Sequence, residues 1–209
     1  MAASRIEEIR HPVAFRILHL LIVLSIVLLI ITGFYIHRPF ISGGGFLMSL
    51  VRGVHFFGAA VLIIAAVFRI IGMFFGRNRD WRSFIPTFAD IKLLPNTINY
   101  YAYLAKEPDI KKKYNPLQMI SYSLVFVLVV FQIVSGFALQ YPDGWLSWFN
   151  YGLFNNEIQA RMAHFIVNWL FVMFLMIHVY LGIREKFDEI KEMYMLPEVE
   201  KGQKEAVKE

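Results

Sequence analysis

Four apolar runs, at 17–36, 54–75, 117–141 and 162–183, constrain this chain more than any other feature of its sequence. Each reaches the ~20 residues that a helix needs to cross a hydrocarbon slab of ~30 Å. Only the second contains a formal charge, Arg69. Lipid offers no hydrogen-bond partner to an open peptide group, so runs of this kind must close their backbone bonds internally, as helices. The expected fold is an all-α membrane protein, a four-transmembrane-helix bundle. Composition agrees, since 57% of residues are hydrophobic against roughly 45–50% in soluble domains. No small-residue cleavage site follows the first run, so it is expected to stay as a span and not to be removed as a leader. One transmembrane domain is expected over 1–190, followed by a charged, mobile tail over 191–209.

Lys and Arg then orient the bundle. Seventeen of them fall on the side that holds both termini and the 76–116 loop, and three (Arg38, Arg52, Arg161) on the other. The positive-inside rule makes both termini and the central loop cytoplasmic, in a multi-pass inner-membrane protein. Tyr141, Trp145, Trp148 and Tyr151 fit an aromatic belt at the outer surface. The net charge of +5 is accounted for by topology and anionic lipid, so no nucleic-acid partner is expected. Within the central loop, Ile98, Tyr101, Leu104 and Ala105 recur at helical spacing after Pro95, which predicts a short helix on the cytoplasmic interface. Asp109 to Lys113 reads as a charged, mobile stretch.

Chemistry enters with the histidines. Arg-x-x-His occurs three times, as Arg16-Ile17-Leu18-His19, Arg52-Gly53-Val54-His55 and Arg161-Met162-Ala163-His164. Chance would give about 0.3 such units at this arginine frequency, so the repeat is a signal. Residues three apart share a helix face, so each unit sets an imidazole inside the membrane with a guanidinium nearer the water. An iron porphyrin needs both, a nitrogen ligand for the metal and cations for its propionates. The fourth span carries His164 and, fourteen residues on, His178. That separation is about 21 Å of rise and brings both close to one face. By depth, His164 pairs with His55 near the outer surface and His178 pairs with His19 near the inner one, giving two bis-histidine positions, although a single His in an apolar helix is more often packed or hydrogen-bonded than a ligand. Arg69 falls in the inner third of its helix, where it can meet an inner propionate or reach the headgroups. His11 and His37 have no partner in depth and read as ordinary polar residues. Gly33, Gly58 and Gly136 fit the close approach of a macrocycle or of a neighbouring helix. The chain has no cysteine, so haem must be noncovalent and iron–sulfur clusters and disulfides are excluded.

With these residues placed, the chain resembles the b-type cytochrome subunit of membrane-bound nickel–iron hydrogenases and, more distantly, the γ subunit of respiratory formate dehydrogenases. The stretches that carry the likeness are Arg16-x-x-His19, Thr32-Gly33-Phe34-Tyr35, Arg52-x-x-His55-Phe56, Tyr103-Leu104-Ala105-Lys106-x-Pro108, Asn115-Pro116, Gly136-Phe137-Ala138-Leu139 and His178-Val179-Tyr180. The Leu-Ala-Lys-x-Pro and Asn-Pro stretches favour the hydrogenase branch. Leu20 departs from the Trp usual after the first ligand, and the chain is somewhat short. The resemblance implies two noncovalent haem b groups, with His19 and His178 as ligands of the inner one and His55 and His164 of the outer one. Arg16, Arg52, Arg161 and Arg69 would meet propionates. It further implies electrons passed from an iron–sulfur small subunit, itself fed by a catalytic large subunit, to a quinone (menaquinone or ubiquinone) beside Tyr114 and Asn115. Asn115 also has the form of an ordinary helix cap before Pro116. Such a chain would be an electron-transfer subunit and not a stand-alone enzyme. Three other readings remain open on the sequence: the same cytochrome serving formate dehydrogenase or another periplasmic oxidoreductase, a metal-ion carrier, and a bare membrane anchor. The carrier reading fits poorly, because the four runs contain no Asp or Glu.

Overall fold

A computed structural model describes residues 13–41, 44–75, 87–106 and 116–185, together with Ile190 and Tyr194. Five α-helices make up almost all of the described residues: α1 (Val13–His37), α2 (Gly44–Phe75), α3 (Phe88–Tyr101), α4 (Pro116–Gln140) and α5 (Glu157–Glu185). All but α3 are long and apolar enough to cross a membrane. The protein is thus an all-α membrane protein built on four spanning helices, as the apolar runs demand.

The helix ends differ from the ends of the apolar runs, because caps and not hydropathy stop a helix. α2 starts ten residues before the apolar run, at Gly44, whose φ of +60° suits glycine and little else. No proline separates it from His55, so the helix simply continues. α5 starts at Glu157, where Asn156 Oδ1 accepts the Gln159 amide at 2.9 Å. The helix expected after Pro95 begins earlier, at Phe88, and carries Pro95 inside it. Its start is set by Thr87, whose amide and hydroxyl both donate to Asp90 Oδ2, at 2.8 and 2.5 Å. Its end comes sooner than the apolar spacing suggests. Tyr103 takes a positive φ of 62°, and the amides of Tyr103 and Leu104 turn back to Tyr100 and Asn99, which closes the helix in a Schellman turn. Arg184 of α5 holds that end, with its guanidinium donating to the carbonyls of Tyr100 and Tyr101 and lying 3.8 Å over the Tyr103 ring.

Packing pairs α1 with α2 and α4 with α5, and the two hairpins meet chiefly through α1 and α5, with α3 against α4. Polar groups point inward and apolar ones outward: Ser25, Thr32, Ser135 and Asn168 are buried, while Leu24, Ile31, Phe57, Val127 and Met176 are exposed. That distribution suits a lipid solvent, in which small and polar residues hold helices together. Halfway along the bundle, Leu128, Val167 and Phe171 form an apolar layer. At the end away from the start of α1, a π-helical turn, Phe149–Leu153, packs with Ala138, Leu146 and Ala160, and Asn150 Nδ2 donates to the Ala138 carbonyl at 2.7 Å. Tyr141, Trp145, Trp148 and Tyr151 are all exposed at this end.

At Gly58 α2 packs tightly on α1, and a Cβ there would stand 3.1 Å from Leu28 Cδ2. Gly58→Leu should therefore destabilise the detergent-solubilised protein by about 1–3 kcal/mol, as overpacking does. Gly53→Leu, placed in open space on the same helix, should leave the thermal unfolding midpoint nearly unchanged.

Candidate functional site

The four histidines assemble as two facing pairs. His55 of α2 and His164 of α5 have ring centres 6.5 Å apart. His19 of α1 and His178 of α5 have theirs 6.2 Å apart. Two imidazoles on opposite faces of one metal ion, each bonded at roughly 2 Å, hold their ring centres roughly 6 Å apart. Both pairs fit that geometry. Among the described residues no group of three or more His, Cys, Asp or Glu could hold a lone metal ion. A haem held by such a pair would supply the remaining nitrogen ligands of its iron.

The pair formed by His55 and His164 is the more fully built. Thr32 Oγ1 lies 2.8 Å from His55 Nδ1, and Ser135 Oγ lies 2.7 Å from His164 Nδ1. Each ring therefore has its Nδ1 engaged, so Nε2 is the atom left for a metal. Beside each hydroxyl stands a glycine: a Cβ on Gly33 would come 3.8 Å from His55 Cε1, and one on Gly136 would come 3.6 Å from His164 Cε1. Asn168, one turn beyond His164 and 7% exposed, has no hydrogen-bond partner for its Nδ2 among the described residues. A buried donor in that position is available to a bound group. Gln132 Nε2 donates to the His164 carbonyl at 3.2 Å and ties α4 to α5 at this level.

The pair formed by His19 and His178 sits toward the other end. Phe174 stacks on His178 with ring centres 5.4 Å apart. Tyr194, in the stretch expected to be a mobile tail, lies edge-on to His19 at 6.2 Å. Arg69 stacks over Phe15 at 4.5 Å, one turn from His19, which brings a cation from α2 to the level of this pair. Arg16 occupies the same turn of α1, whereas Arg52 and Arg161 are exposed at the level of the other pair. Tyr114 and Asn115, the expected quinone contacts, lie outside the described residues, as do 107–113 and most of 191–209.

A match to the family model described as prokaryotic cytochrome b561 covers residues 10–194, which includes all four histidines and every spanning helix. The chain belongs to the prokaryotic cytochrome b561 family. It is thus a b-type cytochrome, a class defined by noncovalent haem b and by electron transfer, in accord with the absence of cysteine. Among its curated relatives, a probable Ni/Fe-hydrogenase B-type cytochrome subunit of Bradyrhizobium diazoefficiens is 32% identical over 186 residues, 81% of this chain and 75% of the relative. The probable Ni/Fe-hydrogenase 1 B-type cytochrome subunit of Escherichia coli K12 is 30% identical over 187 residues, covering 81% and 80%. The corresponding protein of Cupriavidus necator is 31% identical, covering 81% and 76%.

Sequence reasoning missed Thr32, Ser135 and Asn168 as parts of this cytochrome's site. The signal for two of them was present as a hydroxyl residue followed by glycine, Thr32-Gly33 and Ser135-Gly136, on the helices preceding Arg52-x-x-His55 and Arg161-x-x-His164. His37, read as an ordinary polar residue, stacks face to face on Phe165 with ring centres 3.6 Å apart, immediately beside His164.

Proposed function

We propose that this cytochrome is the two-haem membrane subunit of a hydrogenase complex, taking electrons from an iron–sulfur small subunit, fed by a catalytic large subunit, and delivering them to a quinone. The observation that carries the reading is the presence of two facing histidine pairs at metal-bridging separation, one toward each end of a four-helix bundle. His55 and His164 would hold one haem b, and His19 and His178 the other. Haem supplies a one-electron carrier at each level, which suits a link between a cluster that gives electrons singly and a quinone that needs two. Arg52 and Arg161 would meet the propionates of the first haem, and Arg16 and Arg69 those of the second. The names of the relatives favour hydrogenase over formate dehydrogenase as the catalytic partner.

Orientation follows from charge. Lys and Arg gather on the side of the termini and central loop, which by the positive-inside rule supports a His19–His178 end at the cytoplasmic face of the inner membrane and a His55–His164 end outward. Quinone reduction takes up two protons, so its site must touch both a haem edge and water. Tyr114 and Asn115, just before α4 on the cytoplasmic side, are the proposed contacts, with menaquinone or ubiquinone as acceptor.

The test is a dithionite-reduced minus oxidised spectrum of the purified chain, with haem counted as its pyridine complex. Two haem b per polypeptide is the expected result. Zinc or copper in place of haem, or no b-type α-band, would remove the proposal.

A further inference from the structure

The two hairpins build the same half-site twice. On α1 the sequence Ile31-Thr32-Gly33-Phe34 is followed, on α2, by Arg52-Gly53-Val54-His55. On α4 Val134-Ser135-Gly136-Phe137 is followed, on α5, by Arg161-Met162-Ala163-His164. In both, the hydroxyl meets the Nδ1 of its own hairpin's histidine, and a Cβ on the glycine would come 3.8 or 3.6 Å from that ring's Cε1. The repeat breaks toward the other end. Fourteen residues beyond His164 is His178, but fourteen beyond His55 is Arg69; thirteen before Thr32 is His19, but thirteen before Ser135 is Tyr122. One pair of ligands thus comes from equivalent positions in the two hairpins, and the other does not.

The hydroxyls also decide where the ring protons lie. Thr32 Oγ1 is 2.7 Å from the Leu28 carbonyl and 3.3 Å from that of Leu29. Ser135 Oγ is 2.7 Å from the Phe131 carbonyl and 3.3 Å from that of Gln132. A carbonyl can only accept, and a hydroxyl has a single proton. Oxygen atoms 2.7 Å apart with no proton between them would repel, so that proton is committed to the carbonyl one turn back, a common habit of Ser and Thr in helices. Toward the imidazole the hydroxyl is then left as acceptor. Both rings must carry their proton on Nδ1 and present an unprotonated Nε2.

We propose that Thr32 and Ser135 are positioning residues for the His55–His164 pair: each accepts the Nδ1 proton, fixes the ring in its metal-binding tautomer, and makes the imidazole a stronger electron donor. A more basic axial ligand favours the oxidised metal, so the hydroxyls lower the reduction potential of the haem between these rings. This inference rests on the reading that His55 and His164 hold a haem.

The test uses the membrane complex with Thr32→Val, Ser135→Ala and both together, after haem has been counted in the parent. Redox titration of the α-band should show one component moved to more positive potential in the double variant by a roughly tenfold change in its reduction equilibrium, about 59 mV for a one-electron couple. The other component should stay where it was, and Thr32→Ser and Ser135→Thr should keep the parental value. Selective loss of one haem in the double variant, regained in the hydroxyl-preserving variants, supports the same role. Unmoved potentials with both haems retained, or loss of both haems that Thr32→Ser does not avoid, overturn it. A parent without haem would instead end the proposed function, and an α-band present in the parent separates the two failures.

Discussion

Replacing His178 by alanine is expected to remove one haem and spare the other. Apart from α5, the histidines of the two pairs come from different helices: His178 faces His19 of α1, and His164 faces His55 of α2. Between the two levels lies the apolar layer of Leu128, Val167 and Phe171, which should keep the bundle closed when one site is emptied. In the proposed two-haem reading, removing an imidazole would take away one of only two protein bonds to the metal. Outer-shell substitutions already cost ~10–100-fold in metal affinity, so loss of a direct ligand should empty its site. Pyridine haemochrome should fall from two haems per chain to one, and hydrogen-dependent quinone reduction by more than about 100-fold. His164→Ala should lose the other component of the α-band. If His178→Ala lost both haems while circular dichroism still showed a helical bundle, the assignment of His19 and His178 to a site of their own would be wrong.

Much of this was readable in the sequence because lipid leaves so few options. A run such as 117–141 has one backbone solution in a membrane, and α4 differs from it by a single residue at each end. Depth was readable for the same reason. A helix rises by a fixed ~1.5 Å per residue, so two histidines fourteen apart on α5 had to lie at two levels. The helix ends were less accessible, since they depend on groups that hydropathy does not weigh: Asn156 at the start of α5, Thr87 with Asp90 at the start of α3, and the left-handed Tyr103 at its end. Hardest to see were Thr32 and Ser135. Their histidine partners lie 23 and 29 residues away, and a hydroxyl in an apolar helix most often bonds only to its own backbone. Gly33 and Gly136 stand beside these contacts, where a Cβ would come 3.8 and 3.6 Å from the ring Cε1 atoms.

Turnover in sealed proteoliposomes is expected to generate a membrane potential. In the proposed orientation the His19–His178 end is cytoplasmic, and fourteen residues of helix, about 21 Å, separate His164 from His178. If hydrogen is oxidised outside while quinone takes its protons from the cytoplasm, each electron crosses most of the hydrocarbon. Moving one charge against 100 mV costs about 2.3 kcal/mol, so the coupling would act back on the reaction as the potential rises. With the complex reconstituted in one orientation, hydrogen and a soluble quinone should produce a shift in a potential-sensitive dye, negative on the cytoplasmic side. An ionophore should abolish the shift and speed quinone reduction, because the opposing field is then released. His178→Ala should give neither the dye response nor the turnover. Quinone reduction at full rate with no potential would mean that protons are drawn from the side where hydrogen is oxidised. The quinone site would then lie at the His55–His164 end, and Tyr114 and Asn115 could not be its contacts.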